Sequence, residues 1–240
     1  MRLLLTATIA ISGLASNGRA DESDTTSYHI SVGPAFYTMP RYPGSQGSRT
    51  RPFPFVDAEY DNRYYTSVSD IFGVYAFKTD SAQAGAALEF DPTERIGHRD
   101  AKAHNLRSIR DTTRLKLFAS KTILFVTADG NVATDILGHG QGTLAQGNLW
   151  FTAPLGAGFS INVGPGATWA DTRYMHSFFS THAGILDTHL NGLVEWQFLS
   201  HYRVGVLAYL ARLQGDAAAS PVVQQRAQRT VVGWVAYKFR

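Results

Sequence analysis

Every second residue of the segment Arg229 to Arg240 is apolar. Val231, Gly233, Val235, Tyr237 and Phe239 share one face, and Val232, Trp234, Ala236 and Lys238 share the other. A period of two is the signature of a β-strand. The same alternation recurs upstream. Phe159, Ile161, Val163, Pro165, Ala167 and Trp169 oppose Ser160, Asn162, Gly164, Gly166 and Thr168, and Ala145, Gly147, Leu149, Phe151 and Ala153 oppose Gln146, Asn148 and Thr152. Leu190, Gly192, Val194, Trp196 and Phe198 face away from Asn191, Glu195 and Gln197, and Leu115, Leu117 and Ala119 face away from Arg114, Lys116 and Ser120. Helical spacing fits none of these runs.

Read in order, the alternation predicts strands at about Tyr28–Tyr37, Phe53–Tyr60, Tyr64–Ser69, Ile71–Lys78, Gln83–Phe90 and from Arg114. It then predicts Ile123–Asp129, Thr143–Leu155, from Phe159, from Leu190, Tyr202–Leu213 and the closing strand. Short connections, Asp61–Arg63, Thr79–Ala82, Lys121–Thr122, Gly156–Ala157 and Ser200–His201, separate most of the long ones. The long ones are Thr38–Pro52, Asp91–Arg110, Gly130–Gly142, Thr172–Thr188 and Gln214–Arg229. Short turns at one end, long loops at the other and an even strand number describe a transmembrane antiparallel up-and-down β-barrel. The count is about 12. Ten is possible if Ser69–Asp70 is a kink within one strand and a second boundary is also misplaced. Alternation alone leaves a soluble sandwich open, since it does not distinguish inside from outside. Aromatic residues near predicted strand ends, Tyr37, Tyr60, Trp150, Trp169 and Tyr237, fit the girdles of a membrane barrel.

The N-terminus supplies a compartment. Met1-Arg2, an apolar run Leu3–Leu14 and Gly18-Arg19-Ala20 read as a secretory signal peptide over residues 1–20, leaving 21–240 as one barrel domain. The apolar run is short of the roughly 18 residues a membrane helix needs. Removing Arg2 and Arg19 leaves 20 basic against 19 acidic residues, so the formal charge of +3 gives no argument for nucleic acid. Zero cysteine excludes disulfides and thiolate chemistry.

Candidate chemistry is sparse. His139 with Asp135 nearby suggests a base and acid, and His176 with Ser177 a base and nucleophile; neither has a third member or a strained elbow. The eight histidines show no metal-ligand spacing. No catalytic, cofactor or metal residue is assigned. Asp57, Glu59, Arg114, Lys116, Glu195 and Lys238 fall on polar faces, where they either form a salt-bridged, hydrated lumen or line a selective pore.

Several stretches resemble one family. Tyr42-Pro43-Gly44-Ser45, Arg51-Pro52-Phe53-Pro54-Phe55-Val56, Gly138-His139-Gly140, Gly164 to Asp171 followed by Tyr174-Met175, and Arg212 to Asp216 followed by Ser220-Pro221-Val222-Val223 are similar to the ordered landmarks of the MipA/OmpV family. The chain departs from them after Tyr174-Met175, where Phe178-Phe179-Ser180 leads into a shortened Thr181–Thr188, and at the final Arg240. The resemblance implies a barrel in the outer membrane of a Gram-negative bacterium. It also implies a structural or scaffold role joining a murein lytic transglycosylase to a bifunctional murein synthase, with outer-membrane lipid as surroundings. A small-solute pore is the alternative, and a lipid-active hydrolase a further one.

Overall fold

The computed structural model describes residues 28–96 and 107–239. The expected signal peptide, part of the charged loop after Phe90, and Arg240 lie outside them. Twelve strands close into one antiparallel barrel, each paired with its neighbours in sequence and β1 with β12. They are β1 (Tyr28–Pro40), β2 (Ser48–Tyr60), β3 (Tyr64–Thr66), β4 (Asp70–Lys78), β5 (Ala82–Asp91) and β6 (Thr112–Ile123). β7 (Val126–Asp135), β8 (Thr143–Gly156), β9 (Phe159–Ala170), β10 (Gly184–Phe198), β11 (Tyr202–Leu213) and β12 (Ala227–Lys238) follow. Two short helices, α1 (Thr172–Phe179) and α2 (Gly215–Ala219), sit in the long loops.

The expected count of 12 is met, and a real turn separates β3 from β4: Ser67 N–H donates to Asp70 C=O at 2.9 Å. Boundaries moved elsewhere. The turn expected at Lys121–Thr122 is at Leu124–Phe125, because Thr122 and Thr127 pair through their hydroxyls at 2.9 Å and the ladder runs on to Ile123 opposite Val126. Asn131–Asp135, expected in a loop, extend β7, and Gly184–His189 extend β10. Those segments carry polar residues at inward positions, which lowers the hydrophobic contrast that marks a strand.

The two faces sort as the alternation predicts. Leu115, Leu117, Leu149, Val163, Leu190, Val194, Val206, Leu210 and Val235 are exposed on the outside, whereas Asn162, Asn191, Arg114 and Lys116 are buried within. A closed wall that pairs most of its own backbone and shows hydrocarbon side chains outward is built to cross a membrane. Among the described residues, no helix is long and apolar enough to do so.

Two aromatic assignments need correction. Tyr37 and Trp150 do not join a girdle; at 7% and 3% exposure they point into the barrel. Their register puts them on the inward parity, with Ala35 and Asn148. There they join Phe55, Leu193, Leu207, Val232 and Trp234 in an apolar layer, with Phe55 stacked on Trp234 at 5.4 Å. Gly205 makes room: a Cβ there would lie 2.2 Å from the Trp234 ring. A glycine on a strand commonly marks such close approach.

Candidate functional site

Inside the barrel, charges are consumed by partners. Toward the end where β2 finishes and β11 begins, Arg203 bridges Asp57 at 2.7 Å and Glu195 at 2.8 Å, and Lys78 pairs with Glu59. Beyond the apolar layer, Arg114 donates from Nε to Asp91 at 2.9 Å and from its other nitrogens to Gln141 and Gly142. Lys116 sits between Asp70 and Glu89, with all three side chains only 1% exposed. Buried charges persist only when paired in this way. Of the polar residues expected in the lumen, Asp57, Glu59, Arg114, Lys116 and Glu195 are therefore salt-bridged, and Lys238 lies near the rim.

Another network was not expected from the sequence. His189 Nδ1 lies 2.8 Å from Asp187, its Nε2 lies 2.8 Å from the Asn148 side-chain oxygen, and Tyr209 donates to Asp187 at 2.9 Å. Asn148 and Trp150 in turn donate to Asp129 at 2.8 and 2.6 Å. The parity that places Asn191 and Glu195 inward also places Asp187 and His189 there, a signal lost when Thr172–Thr188 is read as loop.

The loop end is sealed by packing. Asp171 caps α1 by accepting from Tyr174 N–H at 2.8 Å, and α1 turns Tyr174, Met175, Phe178 and Phe179 onto Leu144, Ala170, Leu186, Leu213 and Ala217. Arg95 closes the other end of α1, donating to the Ser177 and Phe178 carbonyls at 2.8 and 3.1 Å. A cation there complements the helix dipole. Burial, opposed by Tyr42, draws the Arg95 guanidinium below its ordinary value, and it remains charged.

Neither proposed reactive pair is assembled. Asp135 accepts from Thr112, Leu137, Gly138 and Gln141, while His139 bonds the Asp111 carbonyl. His176 is exposed on α1, and the neighbouring Ser177 offers its carbonyl to Arg95. Among the described residues no group of His, Cys, Asp and Glu is placed to hold a metal.

The turn end differs around its circumference. Asp61-Asn62-Arg63 and Thr79-Asp80-Ser81 are polar tips. From β6 to β11 the turns show large apolar side chains: Ile123, Leu124 and Phe125 are 66%, 89% and 58% exposed, Leu155, just before Gly156-Ala157-Gly158, 62%, and Leu199, beside the exposed Ser200 and His201, 77%. Leu124 and Leu199 also adopt φ of 57° and 49°, a left-handed backbone unfavourable for leucine. Local stability does not choose leucine at such a position.

Solved barrels share the outline loosely. NanC porin matches at 8% identity and TM-score 0.45, covering 87% of this chain and 98% of its own. OmpF of Salmonella typhi matches at 9% and 0.41, covering 88% and 96%, and OmpT of Vibrio cholerae at 8% and 0.39, covering 92% and 100%. No curated protein matches the sequence. The family model described as MltA-interacting protein MipA matches residues 32–239, nearly all of the barrel. This outer-membrane β-barrel belongs to the MipA family.

Proposed function

We propose that the protein is an outer-membrane anchor that docks a murein-cleaving enzyme at its periplasmic end, and through it a murein synthase. The observation that carries this reading is the run of apolar tips on the β6–β11 turns, displayed at a conformational cost beside polar tips on β2–β5. Exposed apolar side chains grouped on one sector fit a protein contact. The family's name, MltA-interacting protein, supports a lytic transglycosylase as the first partner. A packed interior, with an aromatic layer and a sealed loop end, favours an anchor over a solute pore.

Crosslinking in native envelopes, followed by capture of the barrel, tests the proposal. The wild-type chain is expected to bring down a lytic transglycosylase, and the Leu124→Gly, Leu199→Asn double variant to lose it at equal barrel abundance. Undiminished capture by the double variant would overturn the assignment of the surface. Steady single-channel conductance through the wild-type barrel would favour the pore instead.

A further inference from the structure

The wall of the barrel is not equally tall all round. β2 pairs with β1 along all 13 of its residues, but on its other side it meets only the three residues of β3, opposite Ala58–Tyr60. One hydrogen bond shows which groups are left over. Phe239 N–H donates to Ile30 C=O, so the even positions of β1 address β12 and its odd positions address β2. By register, the odd positions of β2 bond β1, and Thr50, Pro52, Pro54 and Val56 aim their backbone away from it. Among the described residues, no strand pairs with those four.

Two of the four are prolines, which carry no N–H. An added strand would need those donors, and hydrocarbon would penalise them if they were present and unpaired. The edge is thus blunted against another chain, and it leaves fewer groups for hydrocarbon to penalise, the N–H of Thr50 and Val56 and the four carbonyls. It also lies at lipid depth. Pro52 is opposite Phe36, which is 50% exposed on the outer face, and the Thr38–Thr50 hydroxyl pair at 2.8 Å sits one residue pair beyond Phe36 and Tyr37, toward the loops.

The opening has a floor, a roof and a lining. The β3–β4 turn forms the floor, with Val68 packed on the interior aromatic cluster. Arg49 and Arg51, both held by Glu94, form the roof. Arg51 has inward parity, yet its side chain is 52% exposed. Phe53, two residues on, is only partly buried and lies 5.8 Å from Tyr37. From the loop-side half of the membrane an apolar path therefore runs past Pro52 and Pro54 to Phe53, beneath an accessible guanidinium.

We propose that this side opening binds a phosphorylated amphiphile of the outer leaflet, one acyl chain lying over Phe53 and Val68 and the phosphate engaging Arg51. Arginine matches phosphate with a planar fork of donors, and Arg49 and Arg51 share Glu94 as their salt-bridge partner, while Asp111 acts on Arg49 from farther off. The proposal rests on the loops facing outward and is independent of what docks at the periplasmic turns.

The test uses full-length protein refolded into vesicles of phosphatidylcholine doped with equal amounts of lipid A and dephosphorylated lipid A, carrying a photo-crosslinking benzophenone residue at position 53. Position 68, across the opening, gives a second reading should position 53 impair folding. Position 210 on the lipid face and position 191 in the far interior are the references. Lipid adducts are expected at 53 and 68 as at 210, with none at 191. Lipid A should be preferred roughly tenfold over its dephosphorylated form at 53 and 68, as the loss of one charge-assisted hydrogen bond implies, and Arg51→Gln should abolish the preference. Positions 53 and 68 as silent as 191, adducts to protein, or labelling without head-group preference would each overturn the proposal.

Discussion

The β2–β5 half and the β6–β11 half of this barrel share one closed ladder and solve different problems. In β6–β11 the strands run 10 to 15 residues, with register shifts at Pro154/Gly156 and Ile185/Asp187, and the turns carry exposed apolar residues. In β2–β5 one strand has only three residues, the neighbouring edge carries two prolines, and the tips are polar. The first half is a plain membrane wall with large apolar side chains exposed at its turn end. The second gives up part of the wall beside β2, and buried side chains tie the short β3–β4 hairpin to its other neighbours: Lys116 on β6 reaches across to Asp70 on β4 and Glu89 on β5, and Tyr65 on β3 donates to Asp70 at 3.0 Å.

That comparison is broken most severely by removing the cation. Lys116→Met leaves Asp70 and Glu89 buried without a counter-charge, and breaking such a pair costs about 3–5 kcal/mol. Denaturant unfolding in detergent micelles is the measurement. A loss below about 1 kcal/mol would mean that the low wall does not depend on this cluster. Next in size is Val163→Arg on β9, which places a charge on the lipid face of the continuous half. At mid-bilayer it should cost about 2–4 kcal/mol in refolding titrations into lipid vesicles. Asn162, one residue away, faces inward and is fully buried, with its oxygen accepting from Thr152 at 2.6 Å. Asn162→Arg should therefore also destabilise, by about 1–3 kcal/mol through overpacking, where a wet lumen would have accepted it. Stability unchanged at 162 would show the interior to be looser than its packing implies.

The closing strand should give a smaller effect on stability. Phe239 is 57% exposed, and its ring lies 4.9 Å from Tyr237. Near the interface its replacement by alanine should cost about 1 kcal/mol or less in refolded material. In cells the same change is expected to lower the amount of barrel in the outer membrane sharply, because alternating aromatics on the strand that closes the barrel fit a signal read during insertion. Normal membrane levels of Phe239→Ala would dismiss that role.

How much of this was legible follows from which residues advertise themselves. The outward rows Leu115-Leu117, Leu149-Phe151 and Phe159 to Val163 contrast with polar neighbours, so strands, faces and the count of 12 could be read directly. Trp150 and Tyr37 deceived because an aromatic on a strand does not say whether its ring meets lipid or interior; the parity shared with Asn148 and Ala35 on the same strands fixes it. Asp187 and His189 went unread because inward polar residues in a terminal stretch look like loop. The opening beside β2 was hinted at by Pro52 and Pro54, which suit a strand start or an edge equally well. That they border a gap depends on how short β3 is, a matter of pairing across the sheet that no local pattern carries.

The smallest expected effect bears on function most directly. Leu124 and Leu199 are largely exposed and left-handed, so replacing them removes little packing and relieves strain of about 1–2 kcal/mol per residue at most. Glycine takes positive φ at little steric cost, and asparagine tolerates it better than leucine. Gains through Leu124→Gly are offset in part by the greater freedom of glycine in the unfolded chain. The Leu124→Gly, Leu199→Asn barrel should therefore unfold within about 1 kcal/mol of wild type, on the stabilised side. The polar tips supply the control: Asn62 already holds φ of 49° with a residue suited to it, and Asn62→Leu should lower stability slightly. If apolar tips exist for a partner, the double variant separates the two readouts, with stability kept and capture of the murein enzyme lost. A drop in stability of more than about 1 kcal/mol would place the leucines in the membrane interface, as part of the wall that the β6–β11 half otherwise is.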